Sequence, residues 1–425
     1  MSVFRIVVPG IGVLALLLST LPQLRAEPAR SITLAQALAR VSAANPRLAV
    51  ADREIGAATG RRIQSGAIPN PDISATVENV YGTGPYRGLG AAETTLQLGQ
   101  LIEFPGKRDA RITAATAELD AARWQRQAER LEVLSETAVL FATILGSQRR
   151  IQIFDGLVNA LDGMQPLLQR RVDSGASSPV DIGRAQVAAD LIRAEKERAQ
   201  VALDIARREL AVLMGKSAPD FGPAVGDFGA IGTPPAFATL VRALNDHPQL
   251  SRWTAVRAQR KAEVLSARLK PAPDVRLGVG YRHFRETRDN AMTFDVAAVI
   301  PLWDQNQGAI MAAQETLAKT EAERSVNKSA LTVLLGRAYE TARGAQRELN
   351  LLQSSTIPKA REAIRAVEEG YAQGRFSLIE LLDTQAAFAQ AMQREADALV
   401  SFHAAIATLE WLTGAPVSLS RARPR

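Results

Sequence analysis

The sequence predicts a mainly α-helical chain with a smaller β component, built twice over. Three observations carry that expectation: short stretches that alternate apolar and polar residues, long stretches with apolar residues three and four apart, and the same order of both in each half. In TLQLGQLIEFPGKRDARI, residues 95–112, the period is two up to Phe104. After Pro105-Gly106 the composition turns to Ala, Glu and Arg, as in a helix. Residues 292–313, MTFDVAAVIPLWDQNQGAIMAA, make the same change around Pro301.

Composition supports this class. Hydrophobic residues reach 47% of 425, enough for a large buried surface, yet only 5% are aromatic, so Ala and Leu supply most of it. With 22% charged residues, that mixture favours long packed helices over a compact aromatic core. The net charge of +7 is spread over 51 basic and 44 acidic residues that neighbour each other on helical stretches, the pattern of solvated faces rather than of a nucleic-acid partner. With no Cys, disulfides, thiolate metal sites and a lipid-bearing N-terminal cysteine are excluded.

The first element, residues 1–26, reads as a signal peptide: Arg5, an apolar core from Ile6 to Leu18, and Ala26 before the cut. No later run is apolar for the roughly 18–20 residues of a membrane helix, so a membrane-spanning form must use strands.

The duplication follows. ANPRL at 44–48 answers DHPQL at 246–250, and PNPDI at 69–73 answers PAPDV at 271–275. EFPGKR at 103–108 answers VIPLWD at 299–304, SGASSPVDI at 174–182 answers QGRFSLIEL at 373–381, and LMG at 213–215 answers LTG at 412–414. Each half reads helix, strand, outward loop, strand, long helix, turn, long helix. The expected repeats are residues 33–216 and 236–415, joined by a Pro/Gly-rich linker at 217–235 and followed by a basic tail at 416–425.

In the strands, Ile73, Ala75 and Val77 oppose Asp72, Ser74, Thr76 and Glu78, while Leu96, Leu98, Ile102 and Phe104 oppose Gln97, Gly99 and Glu103. The second pair sets Val275, Leu277, Val279 and Tyr281 against Arg276, Gly278 and Arg282, and Met292, Phe294, Val296 and Ile300 against Thr293 and Asp295. Runs of about 9–11 residues suit tilted membrane strands. Aromatics stand near both ends, Phe104 and Trp303 on one side and Tyr81, Tyr86 and Tyr281 on the other. Four strands cannot close a barrel, for which about eight are needed, so several chains must contribute; a trimer would give about twelve.

In the helices, Ile182, Ala185, Ala189, Ile192, Lys196, Ala199, Leu203, Ala206, Leu210 and Leu213 form a heptad seam. Leu131, Leu134, Ala138, Phe141 and Leu145 predict another. The last helix carries two seams, Ile379, Leu382, Ala386 and Ala389 beside Phe388, Met392, Leu399, Phe402, Ile406 and Leu409, as expected of a helix with a neighbour on each side.

With PNPDISATVENVYGTG, LIEFPGKRDAR, IPLWDQNQGAI and YAQGRFSLIELLD in this duplicated order, nearly the whole mature chain resembles the TolC-type outer-membrane efflux channels, and within them the cobalt-zinc-cadmium (CzcC) branch. The resemblance implies a homotrimer whose strands complete a twelve-stranded transmembrane β-barrel in outer-membrane lipid, continuing into a periplasmic α-barrel. It implies two partners, a periplasmic membrane-fusion adaptor and an inner-membrane, proton-driven pump of the RND type, and no cofactor. The expected function is a passive exit duct for heavy-metal cations. An exit channel for drugs or secreted proteins, and a soluble periplasmic coiled-coil scaffold or adaptor, are the alternatives.

Carried over onto matching positions, the resemblance assigns Glu380 and Asp383 to an acidic ring at the narrow periplasmic end and Asp181 and Tyr371 to a latch between neighbouring helices. Val180 and Phe376 depart from the pattern by offering no second polar bond. Gly175, Ser178, Gly374 and Ser377 mark the adaptor-docking tips. Pro105, Gly106 and Pro301 mark the strand-to-helix junctions, where a missing N–H leaves no ladder bond unmade. Lys107 and Arg108 are candidate lipid-headgroup contacts. An enzyme is not expected, because His247, His283 and His403 lie far apart and no nucleophile or phosphate motif stands out.

Overall fold

A computed structural model describes residues 30–417. The signal-peptide segment and nearly all of the basic tail lie outside the described residues. At the start, β1 (Ile32–Thr33) leads into α1 (Leu34–Ala44) and α2 (Pro46–Ser65). Asn45 caps α2 by accepting from the Arg47 N–H at 2.9 Å, and its amide donates to the Leu213 carbonyl at 2.8 Å.

The two strand pairs form one antiparallel sheet in the order β2 (Asp72–Glu78), β3 (Glu93–Ile102), β5 (Val275–Phe284), β6 (Asn290–Ala298). Its register aligns Ile73, Leu98, Val279 and Phe294 in one cross-strand row and Ala75, Leu96, Tyr281 and Met292 in the next. The opposite face aligns Asp72, Gly99, Gly278 and Asp295, then Ser74, Gln97, Gly280 and Thr293. The alternation read along each strand is therefore continued across the sheet. Among the described residues none covers the apolar face: Ile73 is 75% and Phe294 81% exposed in the single chain. Tyr81 follows the end of β2 and Trp303 follows β6 at the other end of the sheet; both are largely exposed.

Below the sheet run α3 (Lys107–Asp173), 67 residues and about 100 Å long, and α4 (Pro179–Leu213), which folds back on it. In the second half, α5 (Phe237–Leu244) and α6 (Pro248–Leu269) precede the sheet, and α7 (Gln307–Leu351) descends from it. A π-turn over Leu352–Thr356 joins α7 to α8 (Ile357–Ala372), and α9 (Leu378–Thr413) returns. α3 packs on α4, α6 and α9, and α9 packs on α7 and α8. On α4 the seam residues Ala185, Ala189, Ala199, Leu203, Ala206, Leu210 and Leu213 are buried, and Lys196 pairs with Asp155 at 2.6 Å.

The linker is tied down. Its β4 (Ala224–Val225) pairs in parallel with β1, Phe221 is buried, and Phe228 stacks on His403, whose ring nitrogen meets the Phe228 carbonyl at 2.9 Å.

Three expectations change. The α3 seam is shifted: of its five predicted residues only Phe141 is buried, while Val133, Thr137 and Ile144 are fully buried, because α3 here meets α4 on one side and α9 on the other. The two junctions are not alike. β3 is joined to α3 through Gly106 at φ 92, but β6 ends at Ala298 and α7 starts only at Gln307, with Pro301 inside the connection. There Asn306, at φ 61, takes the left-handed position that Gly106 takes in the first half. Lys107 and Arg108 also bond to protein within the chain: Lys107 Nζ donates to Asp274 at 2.9 Å and to the Ala272 carbonyl at 2.7 Å, and Arg108 Nε to the Gly66 carbonyl at 2.7 Å.

Candidate functional site

The two helical hairpins end in turns built to one plan. In the first, Gly175 lies at φ 73, where an L side chain is strained, and the Ala176 and Ser177 N–H groups donate to the Arg171 carbonyl at 2.7 and 3.1 Å. Ser178 is the N-cap of α4: its hydroxyl accepts from the Val180 N–H at 3.3 Å, and Asp181 reaches back to the Ser178 N–H at 3.2 Å. In the second turn Gly374 lies at φ 77, and the Arg375 N–H donates to the Gly370 carbonyl at 2.8 Å. Ser377 caps α9, accepting from the Glu380 N–H at 3.3 Å. The Glu380 carboxylate accepts from the Ser377 N–H at 2.7 Å and from its hydroxyl at 2.9 Å. Both serine-to-acid pairs are capping boxes.

The glycines and serines singled out by sequence thus have a local structural reason. Glu380 is exposed, and the bonds from the Ser377 N–H and hydroxyl hold its carboxyl below the usual range, so it stays charged. Asp383 is exposed one helical turn further along α9, three residues on and on the same side. The other two assigned residues are not bonded to each other within the chain. Asp181 serves its cap and lies 3.7 Å from Arg184. Tyr371 is buried, and its hydroxyl sits beside Ser177 without a well-formed hydrogen bond.

Sequence reasoning missed Arg171. From the last turn of α3 its Nη1 donates to the Tyr371 carbonyl at 2.6 Å, its Nε to the Ser177 hydroxyl at 3.3 Å, and its guanidinium lies over the Tyr371 ring, 4.8 Å from the centroid. It joins the two hairpins. A signal was present in the aligned turns: Arg171 and Ser177 stand where the second copy has Gly370 and Phe376.

Among the described residues no helix is long and apolar enough to cross a membrane. The outer membrane efflux protein model matches residues 34–216 and 239–415. The chain belongs to that family. Outer membrane efflux proteins are transport conduits rather than enzymes, and this one has metal-resistance relatives. It is 28% identical over 396 residues to the cobalt-zinc-cadmium resistance protein CzcC of Cupriavidus metallidurans, with 93% of each chain covered. The nickel-cobalt-cadmium resistance protein NccC of Alcaligenes xylosoxydans xylosoxydans is 25% identical, over 74% of this chain and 70% of its own. In fold, this efflux protein is similar to the outer membrane protein VceC of Vibrio cholerae, with TM-score 0.75 and 18% identity over 90% of this chain and 96% of that one.

Proposed function

We propose that three copies of this chain form the passive outer-membrane exit duct of a proton-driven tripartite efflux system for cobalt-, zinc- or cadmium-type cations. The full-length match to a cobalt-zinc-cadmium resistance protein carries this reading. The geometry supports the trimer. The sheet ends in two edge strands, β2 and β6, which a closed barrel would pair. The outer face of α4 bears Val180, Val187, Leu191, Val201, Ile205 and Val212, all more than half exposed in the single chain, a stripe suited to a neighbouring copy. The apolar sheet face then meets outer-membrane lipid, and the helices extend into the periplasm.

In this reading residues 33–216 and 236–415 are the two efflux repeats, and the tips at Gly175, Ser178, Gly374 and Ser377 meet the adaptor, which connects to the inner-membrane RND-type pump. Glu380 and Asp383, three copies each, form two acidic rings that concentrate cations at the entrance. Asp181 and Tyr371 face neighbouring helices at the same level. In this reading the pump chooses the cargo and the duct passes what it delivers.

Deleting the gene in its host is expected to lower tolerance to zinc, cobalt and cadmium salts, with restoration by the wild-type gene and a heat-resistant trimer in outer-membrane fractions. Unchanged metal tolerance with lost drug tolerance would replace the cargo. A soluble monomer in the periplasm would replace the channel by a scaffold.

A further inference from the structure

Within the second hairpin, α8 is tied less closely to α3 than α9 is. α3 runs to its tip as one α-helix, with Pro166 inside it, whereas the descending helix of the second half passes through a π-helical segment at Leu352–Thr356. Pro358, in the first turn of α8, brings no N–H to that region, and the Ser354 hydroxyl donates back to the Asn350 carbonyl at 2.6 Å, an arrangement that bends helices. Just below, a cavity of about 330 Å³ separates α3 from α8, floored by Phe388 and Met392 of α9. Gly156 of α3 borders it with no atom near the place of a side chain. α9 packs on α3 along its length, but α8 packs chiefly on α9, so it is α8 that approaches α3 closely again only near the tip.

At that tip the apolar contacts of Leu168, Ile364, Tyr371 and Leu381 can slide, but the bonds of Arg171 are directional. A charged donor on a carbonyl is stronger than a neutral one, and a guanidinium over an aromatic face adds an attraction that half-burial protects from water. We propose that Arg171 is the clasp that holds the α8 side of the second hairpin against α3, with the π-helical segment as the pivot from which α8 swings when the clasp opens. Arg171 is a positioning residue: it acts on the aperture through the Tyr371 carbonyl and ring, and lines no ring of its own. Phe376, packed on Gly370 within its own turn, cannot take this part.

The proposal rests on the exit-duct reading, and two measurements keep them apart. The chain has no cysteine, so Asp173→Cys and Gln373→Cys place one spin label on each tip. Mixed trimers with a single labelled subunit report the distance within one chain in detergent, whether or not the protein conducts. Arg171→Ala is expected to lengthen and broaden that distance and to raise single-channel conductance several-fold in planar bilayers. Arg171→Lys, which keeps the charge but loses the fork and the flat stacking surface, should fall between wild type and alanine. An unchanged tip distance in a properly trimeric Arg171→Ala protein overturns the clasp. So does a conductance rise in Tyr371→Phe with none in Arg171→Ala, which would put closure on the hydroxyl. Wild-type trimers that never conduct, but whose tip distance still responds to Arg171→Ala, would remove the duct and leave the clasp.

Discussion

The two hairpin turns share a left-handed glycine, a serine cap and an acid three residues later, yet differ at two aligned positions. The first has Arg171 and Ser177, which bond to each other and reach across to the second hairpin. The second has Gly370 and Phe376, packed so closely that a side chain at Gly370 would begin 2.2 Å from the Phe376 ring. One turn is polar and reaches outward; the other is apolar and self-contained. The same contrast runs up the helices: α3 is continuous, while its counterpart is α7, a π-turn and α8. Duplication has kept what each turn needs in order to form and divided what the pair needs to work together.

The largest expected effect is at the turn glycines, and comparing them separates shape from contact. Both lie at positive φ, so any side chain costs about 1–2 kcal/mol of backbone strain at either. Around Gly175 nothing lies within 4 Å of a Cβ, whereas at Gly374 a Cβ would lie 3.9 Å from the Arg171 guanidinium. Gly374→Trp is expected to abolish metal tolerance while heat-resistant trimers remain in the membrane; Gly175→Trp should reduce tolerance less. Equal loss in both would point to adaptor docking at the two tips alike. Loss of the trimer would restrict Gly374 to folding.

Much of this was legible in sequence, for identifiable reasons. Period-two strands declare their faces residue by residue, so Ile73, Leu98 and Phe294 were assigned correctly without their partners. Capping boxes are local, and Ser178 and Ser377 were visible beside their acids. A long helix with neighbours on two sides buries residues that no single seam contains, so Val133, Thr137 and Ile144 escaped notice while Leu131 and Leu134 were chosen. Arg171 was hidden because its partner is 200 residues away and one of the two bonded atoms is a backbone carbonyl. Asn306 resembled any polar helix start until its left-handed conformation paired it with Gly106.

A second, intermediate effect compares the helix caps above the tips. Asn45 caps α2 and His247, at the aligned position, caps α6 by accepting from the Gln249 N–H at 3.2 Å. Asn45 does not titrate. His247 is 1% exposed, and burial pushes its imidazole below the usual range, against the pull of the Trp411 backbone acceptor. The unfolded chain therefore binds the proton first as pH falls, so the contribution of neutral His247 is whole above about pH 6.5 and is lost as pH drops through its lower folded value. Protonation also puts a hydrogen on the nitrogen that accepts from Gln249. Thermal unfolding of the wild type should shift downward between neutral and mildly acidic pH. His247→Asn, copying the first half, should flatten that shift in part; His403, also lowered chiefly by burial, supplies the remainder. An undiminished shift in His247→Asn would remove this histidine from the pH response.

The smallest expected effect on stability is also the cleanest test of what the second turn adds. Glu380 is at once the capping acid of α9 and a candidate ring residue, and a mutation that broke the cap would confuse the two roles. Glutamine serves a capping box as glutamate does, since its side-chain oxygen can accept from the Ser377 N–H. Exposed Asp383 takes asparagine without leaving a buried group unpaired. Glu380→Gln with Asp383→Asn should therefore change stability by no more than about 0.5 kcal/mol. It removes two negative charges from each chain, and rings of fixed charge at a constriction govern which ions approach it. Reversal potentials in a salt gradient across planar bilayers should show a weaker cation preference in the double variant, most clearly at low ionic strength, where the field reaches furthest. Asp181→Asn, at the aligned acid of the first turn, should move the reversal potential less, because Arg184 already lies 3.7 Å from that carboxylate. An equal change from Asp181→Asn would mean both turns line the opening, and an unmoved potential in the double variant would place the constriction away from α9.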